Sequence, residues 1–211
     1  MADPASLRAA LRLLAITDDL RDGVEGLAAR AEAAARGGAT MVQLRLKVTD
    51  ARTLVLAGRA LHAVLRPLGV PLLVNDRVDV ALACGAAGAH LGADDLPVRA
   101  ARRIVPPDFV LGASLGSDAE LENAREADYV GIGPLYATGS KLDAGDAIGV
   151  AEFARLARAA GRPAVAIGGI TPENVGPVMA AGADGIAVIR AVFSAADPTR
   201  AAAALRSASG T

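Results

Sequence analysis

The chain has 211 residues and carries 22 Lys plus Arg against 23 Asp plus Glu, for a formal net charge of −1. Aromatic residues make up only 2% of the chain and no basic stripe is interleaved with them, so nucleic-acid binding is not expected. The single cysteine, Cys84, excludes an intrachain disulfide framework. Arg8 and Arg12 interrupt the apolar positions of the N-terminus, and the least polar stretch, 78–93, is too short and too glycine-broken to span a bilayer. We therefore expect a cytoplasmic protein without a membrane partner.

One unit recurs along the chain: an Ala-rich amphipathic helix, a stop of Gly or small residues, and a short apolar run. Runs of this length, following glycine stops, are typical of strands buried on both faces. Eight units at about 26 residues each favour closure into a (β/α)8 barrel of the TIM type, an α/β fold, over an open doubly wound sheet. We expect one domain over 1–211, with the barrel core at about 13–207. The eight predicted strands are 13–16, 41–44, 72–74, 89–91, 109–111, 129–132, 164–167 and 186–189.

In such barrels the active site forms at the carboxyl ends of the strands, so the residues that follow each run are the candidates. After the second run, period-two alternation puts Gln43, Arg45 and Lys47 on one side. Two cations and an amide suit a phosphate or diphosphate group. A solvated strand end is an equally good interpretation of these residues alone.

Carboxylates follow the third and fourth runs, at Asp76 and at Asp94 and Asp95. Neighbouring strands lie about 4.8 Å apart, so these groups can reach one ion. Mg²⁺ is commonly held by one or two carboxylates together with water and phosphate oxygens, and no His/Cys pattern with zinc spacing is present. The alternative is that Asp76 caps the helix after it and that Asp94 or Asp95 caps the helix after Pro97.

Further polar groups follow the later runs. Ser114 follows the fifth run, and the long loop after the sixth contains Thr138, Ser140 and Lys141, which predict a phosphate cradle or, alternatively, a mobile solvated loop. The chain has two lysines, Lys47 and Lys141, among many arginines, so a lysine retained here is a better functional candidate than usual.

The seventh run ends in Gly168-Gly169, which permits close approach of a ligand to the backbone. Thr171 is expected to cap a helix that starts at Pro172. His90 is interpreted as a packed core histidine and His62 as a surface or interface residue. No Ser/His/Asp or Cys/His arrangement is visible, so acyl-transfer chemistry is unsupported.

Together these strand-end motifs resemble the thiamine-phosphate synthase family, from about Leu13 to Phe193. Any one of them is weak, and the ordered set is specific. The motifs are Val42–Lys47 (VQLRLK), Asn75–Asp79 (NDRVD), His90–Leu96 (HLGADDL), Asp128–Pro134 (DYVGIGP), Thr138–Lys141 (TGSK) and Ala166–Ile170 (AIGGI).

The resemblance implies a transferase of thiamine biosynthesis that joins hydroxymethylpyrimidine diphosphate to thiazole phosphate and releases pyrophosphate. It implies that Asp76 and Asp95 bind Mg²⁺, and that Arg45, Lys47 and Lys141 act in catalysis by screening charge on the departing pyrophosphate. The residues implied to hold the pyrimidine diphosphate are Gln43, Arg45, Lys47, Asn75, Ser114 and Lys141. Those implied to line the thiazole-phosphate site are Thr138, Gly139, Ser140, Gly169, Ile189 and Arg190.

Two positions depart from the family pattern. The family often has a histidine shortly after the residue matching Ser114, and it commonly has serine where this chain has Arg190. The alternatives are a thiazole tautomerase paralogue, which relies on that histidine as an acid–base group, and a non-catalytic phosphate-binding barrel. The sequence leaves the possibility of a homo-oligomer open.

Overall fold

The computed structural model of the protein describes residues 4–137 and 146–210. Eight parallel strands in these ranges form a closed barrel in which each strand pairs with its neighbours in chain order and β8 pairs with β1. The predicted barrel is therefore confirmed. The strands are β1 Leu13–Ile16, β2 Met41–Leu44, β3 Leu72–Asn75, β4 Gly88–Leu91, β5 Val110–Leu115, β6 Tyr129–Ile132, β7 Ala164–Ile167 and β8 Gly185–Val188.

Four of the predicted strands match the observed bounds, and β5 differs most. It runs from Val110 to Leu115, so Gly112, Ala113 and Ser114 belong to the strand rather than to the loop after it. Gly112 pairs with Tyr129 of β6, and Ser114 also pairs with β6. Pairing with β6, and for Gly112 and Ala113 also with β4, holds these weak strand formers in the sheet, because tertiary context overrides local preference.

The helices surround the barrel, and none within the described ranges is long and apolar enough to cross a membrane. In these ranges the helices are α1 Pro4–Leu11, α2 Gly23–Arg36, α3 Ala51–Leu65, α4 Val78–Cys84, α5 Val98–Arg102, α6 Leu121–Arg125, α7 Gly149–Ala160, α8 Val175–Ala180, α9 Arg190–Phe193 and α10 Pro198–Ala208, with short 3₁₀ turns at Arg66–Leu68 and Asp118–Glu120.

The pleat of the strands divides the apolar residues into two cores. One core lies between the barrel and its helices and contains residues such as Val42 and Val74. The other fills the inside of the barrel with alternate residues such as Leu73 and Val165. Helix α1 contributes Leu7 and Leu11 to the inner core and so covers the amino-terminal end of the barrel. Period-two alternation thus sends one set of side chains inward and the other toward the helices.

Two copies of the recurring unit have an aspartate directly before the strand: Asp128 before β6 and Asp184 before β8. Asp128 donates its backbone N–H to Leu111 O at 2.8 Å, and its carboxylate accepts the N–H of Leu111 at 2.8 Å. Asp184 makes the same pair of bonds to Ala164. The Asp128 carboxylate also pairs with Arg102, at 2.6 Å, and that of Asp184 pairs with Arg8. Each carboxylate therefore satisfies a backbone donor at the start of a strand.

Close packing at the start of β8 predicts that replacing two different glycines by alanine will change the free energy of unfolding in opposite directions. A Cβ added at Gly185 would overlap the carbonyl oxygen of Leu11, whereas one added at Gly176 in α8 meets nothing within 4 Å. We expect Gly185→Ala to lower the free energy of unfolding by about 1–3 kcal/mol through overpacking. We expect Gly176→Ala to raise it by about 0.5–1 kcal/mol through helix propensity. Urea unfolding measures both, and equal effects of the two changes would contradict the close approach.

Candidate active site

A cavity of about 990 Å³ opens at the carboxyl ends of the strands. It brings together described residues that the sequence singled out at or just beyond the carboxyl ends of β2, β3, β4, β5, β7 and β8. These are Gln43, Arg45, Lys47, Asn75, Asp76, Asp95, Ser114, Gly169, Ile189 and Arg190. Thr138, Gly139, Ser140 and Lys141 lie outside the described residues.

Three hydrogen bonds organise the side of the cavity formed by β2. Gln43 is buried, and its Nε2 donates to Asn75 Oδ1 at 3.0 Å, which links β2 to β3. Thr17, which is also buried, accepts the Arg45 N–H at 2.8 Å and donates its hydroxyl to the Arg45 carbonyl at 3.2 Å. Thr17 therefore fixes the backbone from which the Arg45 side chain extends. Sequence reasoning missed Thr17, although its place directly after the first predicted strand was a usable signal.

The carboxyl groups of Asp76 and Asp95 are in hydrogen-bonding contact. Asp76 has a positive φ of 64°, and its N–H donates to the His90 carbonyl at 2.8 Å, which ties the end of β3 to β4. Asp95 Oδ2 accepts the Gly92 N–H at 2.6 Å. Neither aspartate is a helix cap: Arg77 precedes α4 and Pro97 precedes α5, and no side chain caps either helix. The capping alternative is therefore wrong.

The carboxylate pair is electrostatically unfavourable on its own. Burial, followed by the hydrogen bond and negative charge of Asp95, raises the pKa of Asp76 to about 6, although Lys47 and Arg45 oppose the shift. A hard cation that binds both carboxylates would relieve this repulsion. No group of three or more His, Cys, Asp or Glu side chains suited to a metal occurs within residues 4–137 and 146–210. Two carboxylates with phosphate and water oxygens are a donor set that Mg²⁺ accepts, so the residues fit this ion.

A chain of three side chains crosses the inside of the barrel. His90 Nδ1 lies 2.9 Å from Tyr129 Oη, and His90 Nε2 lies 3.2 Å from Ser114 Oγ. His90 is thus packed inside the barrel, as expected, but it also lines the cavity together with Ser114, which the sequence interpretation did not foresee. Tyr129 is fully buried, and burial raises the pKa of its phenol. The alternation of side chains along β4 was the signal that His90 faces the inside of the barrel, because His90 lies two residues after Gly88 and on the same face.

The loop after β5 has no imidazole where the family often has one. Gly116 lines the cavity, and a Cβ added there would lie 3.5 Å from the nearest atom, the carbonyl oxygen of Gly133. The Glu120 carboxylate, another residue lining the cavity, accepts the N–H of Gly116 and that of Ser117. This carboxylate therefore holds the backbone of the loop, a role that the sequence interpretation missed.

The loop after β7 presents its backbone to the cavity. Gly168 and Gly169 both have positive φ, 102° and 65°, and a side chain at either position would collide with the segment 134–137. The expected helix start at Pro172 is wrong, because α8 begins at Val175. Asn174 shapes the turn instead: its Oδ1 accepts the Thr171 N–H at 2.9 Å, and its Nδ2 donates to the Gly169 carbonyl at 2.9 Å.

Beyond β8, the chain turns directly into a short helix at the rim. Ile189 lies past the end of the strand rather than inside it, and Arg190 is the first residue of α9. Both line the cavity, and Arg190 is exposed. An exposed guanidinium at this rim can reach an anionic ligand group.

The raised pKa of Asp76 predicts a pH-dependent cost to stability in the metal-free protein. A carboxyl group whose pKa is raised in the folded state stabilises the fold at pH values below its unfolded pKa, near 3.8, and that contribution is lost as the pH rises through about 6. Asp76→Asn mimics the protonated group. We therefore expect the variant to melt above the unmodified protein at pH 8 in the presence of a chelator, by roughly 2 °C. This corresponds to about 1 kcal/mol, well below the full shift because the carboxyl is only half-buried.

The pH dependence of this difference is the decisive measurement. Asparagine also tolerates a positive φ better than most residues, which adds a stabilisation that does not change with pH. Differential scanning calorimetry at pH 5 and pH 8 separates the two effects. A difference in melting temperature that stays constant between these pH values would contradict the raised pKa.

Comparison with known proteins identifies the family of the chain. The family model described as thiamine monophosphate synthase matches residues 13–192. A thiamine-phosphate synthase of Azorhizobium caulinodans is 49% identical over 198 residues, 93% of each chain, and one of Methanoculleus marisnigri is 52% identical over 178 residues, 83% of this chain and 84% of the other. The solved thiamine phosphate pyrophosphorylase from Pyrococcus furiosus superposes with a TM-score of 0.85 at 37% identity, covering 97% of this chain and 98% of that one. The expectation of an enzyme, a transferase of this type, is thereby confirmed. The chain belongs to the thiamine monophosphate synthase family.

Proposed function

We propose that the protein transfers the hydroxymethylpyrimidine group from its diphosphate to thiazole phosphate in a Mg²⁺-dependent reaction. The bond between the pyrimidine methylene carbon and the diphosphate oxygen breaks, a bond from that carbon to the thiazole nitrogen forms, and pyrophosphate leaves. The observation that carries this proposal is the hydrogen-bonded pair of Asp76 and Asp95, which lies in the same cavity as Arg45 and Lys47. Two carboxylates beside two cations suit a diphosphate that arrives with a divalent cation.

The diphosphate end of the substrate would lie against Arg45 and Lys47. Negative charge grows on the leaving oxygen as the carbon–oxygen bond breaks, so cations held beside it stabilise the transition state more than the bound substrate. Mg²⁺ bound to Asp76 and Asp95 would supply further positive charge at the same oxygens. Thr17 supports this role, since its two hydrogen bonds fix the Arg45 backbone. Lys141, assigned by resemblance, would act on the same leaving group.

The pyrimidine would be bound by the polar groups deeper in the barrel. Gln43, Asn75 and Ser114 line the cavity below its rim and offer amide and hydroxyl groups to ring nitrogens and the amino substituent. The aminopyrimidine can stabilise a benzyl-like cation, so the protein needs to position the ring rather than provide a strong base. Catalysis would therefore rest on positioning and electrostatic stabilisation.

Thiazole phosphate would occupy the side of the cavity formed by β7 and β8. Gly169 brings a bare backbone to the cavity, and Arg190 brings a cation at the rim. The loops after the seventh and eighth strands are the usual phosphate site of these barrels. By resemblance, Thr138, Gly139 and Ser140 would complete this site with hydroxyl and backbone N–H groups, and Ile189 would pack against the thiazole.

The tautomerase alternative requires an imidazole that exchanges protons with a ligand. His90 is the imidazole that lines the cavity within the described residues, but one of its nitrogens contacts Tyr129 and the other contacts Ser114. A ring engaged at both nitrogens is poorly placed to take a proton from a ligand and return it. This observation favours the synthase.

The proposed reaction predicts a strict set of requirements. Purified protein should release pyrophosphate and form thiamine phosphate only when Mg²⁺ and both substrates are present. Thiazole phosphate alone should not isomerise. Chromatographic detection of thiamine phosphate and an assay for pyrophosphate measure the first, and NMR of thiazole phosphate measures the second. Interconversion of thiazole tautomers without pyrophosphate would establish the tautomerase, and binding of both substrates without turnover would establish a non-catalytic barrel.

Replacement of one carboxylate should separate a shared Mg²⁺ site from a general loss of charge. Asp95→Asn should lower kcat by roughly 10²-fold, as expected when an electrostatic contact to the transition state is weakened, and should raise the Mg²⁺ concentration needed for half-maximal rate. Circular dichroism should be unchanged. The matched control is Asp108→Asn, an exposed aspartate before β5, at the opposite end of the barrel. An unaltered Mg²⁺ requirement in Asp95→Asn would show that the two carboxylates do not share an ion.

A further inference from the structure

We infer that Tyr129 and His90 form a hydrogen-bond relay that fixes the hydroxyl of Ser114 as a donor to the ligand. In this relay the phenol of Tyr129 donates to His90 Nδ1, His90 Nε2–H donates to Ser114 Oγ, and the Ser114 hydroxyl hydrogen points into the cavity. His90 and Tyr129 are positioning residues, because they act on the substrate through Ser114. The three side chains come from β4, β5 and β6, three consecutive strands of the barrel.

The direction of the relay follows from the surroundings of Tyr129. The phenol is fully buried in the inner core, where apolar side chains such as Leu73 and Val165 surround it. Its hydrogen-bond partner among the described residues is His90 Nδ1, at 2.9 Å. Burial raises the pKa of the phenol, so its proton stays bound. A buried donor without an acceptor is costly, and therefore the phenol donates to Nδ1.

If the two hydrogen bonds of His90 ran in the opposite direction, the phenol hydrogen of Tyr129 would be left without an acceptor. If Ser114 donated to Nε2, Nδ1 would carry the imidazole hydrogen and donate to the phenol oxygen. The phenol hydrogen would then have no acceptor inside the apolar core. Tyr129 also borders the cavity but is fully buried, whereas Ser114 is only partly buried. In the inferred direction the remaining hydrogen is therefore that of Ser114, which a ligand or water can reach. Only this direction satisfies every buried group.

Two glycines provide the space that the relay occupies. A Cβ added at Gly112 would overlap the ring of Tyr129, and one added at Gly131 would lie 3.0 Å from His90 Cε1. Gly112 is the register partner of both His90 and Tyr129, and Gly131 is that of Ser114. The absence of side chains at these two inward positions therefore leaves room for a phenol and an imidazole inside the barrel. That arrangement is specific to holding these rings in one orientation.

The consequence for binding rests on the proposed function. An ordinary serine hydroxyl rotates and can donate or accept, so a substrate must select the orientation it needs. With His90 donating to Oγ, Ser114 presents its hydrogen before the ligand arrives and matches an acceptor atom of the pyrimidine diphosphate. Preorganisation of this kind improves affinity because the ordering cost is removed in advance.

The imidazole tautomer tests the relay directly, without substrate. The chain has two histidines, so His62→Gln assigns both sets of ¹⁵N resonances in a long-range ¹H–¹⁵N spectrum. We expect His90 to carry its ring hydrogen at Nε2 and none at Nδ1 in the unmodified protein, and we expect Tyr129→Phe to abolish that preference. Tyr136→Phe is the matched control, because its phenol donates to the Asn174 carbonyl at 3.3 Å and should leave the His90 tautomer unchanged. Protonation at Nδ1, alone or together with Nε2, in the unmodified protein would overturn the inference.

A double-mutant cycle tests whether the relay acts through Ser114. Tyr129→Phe should raise the KM for pyrimidine diphosphate about fivefold, the effect of one hydrogen bond, and should leave the KM for thiazole phosphate unchanged. In a Ser114→Ala background the same change should have no further effect. Additive effects on the KM would show that Tyr129 acts independently of Ser114 and would contradict the relay. An Nε2-protonated His90 in a protein that does not consume pyrimidine diphosphate would instead contradict the proposed substrate.

Discussion

Hydrogen bonds between β8 and β1 close the sheet, and the candidate site depends on that closure. Since all eight strands are parallel, closure brings eight carboxyl ends to one rim. The pleat then determines which side chains face the ligand: Asn75 and His90 point inward, while their neighbours Val74 and Ala89 pack against the helices. Residues separated by long stretches of sequence therefore meet because of strand register. No helix contact is needed to explain why they come together.

The sequence was sufficient to predict the barrel because its strands are buried on both faces and appear as short apolar runs. The sequence was also sufficient to predict that Asp76 and Asp95 lie close together, because each follows the end of one of two neighbouring strands. The end of β5 was missed because Gly112 and Ser114 form strands poorly; Gly112 is held there by pairing with β4 and β6, and Ser114 by pairing with β6. The contacts of His90 were missed for a related reason. Its partners lie on other strands, and the cross-strand register that joins them leaves no local signal in the sequence.

The site contains a backbone conformation and a side-chain contact that are unfavourable by themselves. Asp76 has a left-handed backbone conformation that non-glycine residues rarely adopt, and its carboxyl lies against a second carboxyl. The backbone is held by the bond from Asp76 N–H to the His90 carbonyl, and the Asp95 carboxylate is held by the Gly92 N–H. Stable neighbours thus maintain an arrangement that is unfavourable by itself. Such conflicts between local preference and global structure are typical of functional sites.

Helix α1 limits the end of the barrel from which ligands can reach the cavity. Leu7 and Leu11 join the inner core and cover one end of the barrel, so the cavity is reached from the rim at the other end. Ligands would then enter and leave at this rim. A ring bound deep, near Gln43 and Ser114, would bind before a ligand that lies above it and would leave after it. Closure of the other end of the barrel would thereby fix the order of binding, although no residue of α1 lines the cavity.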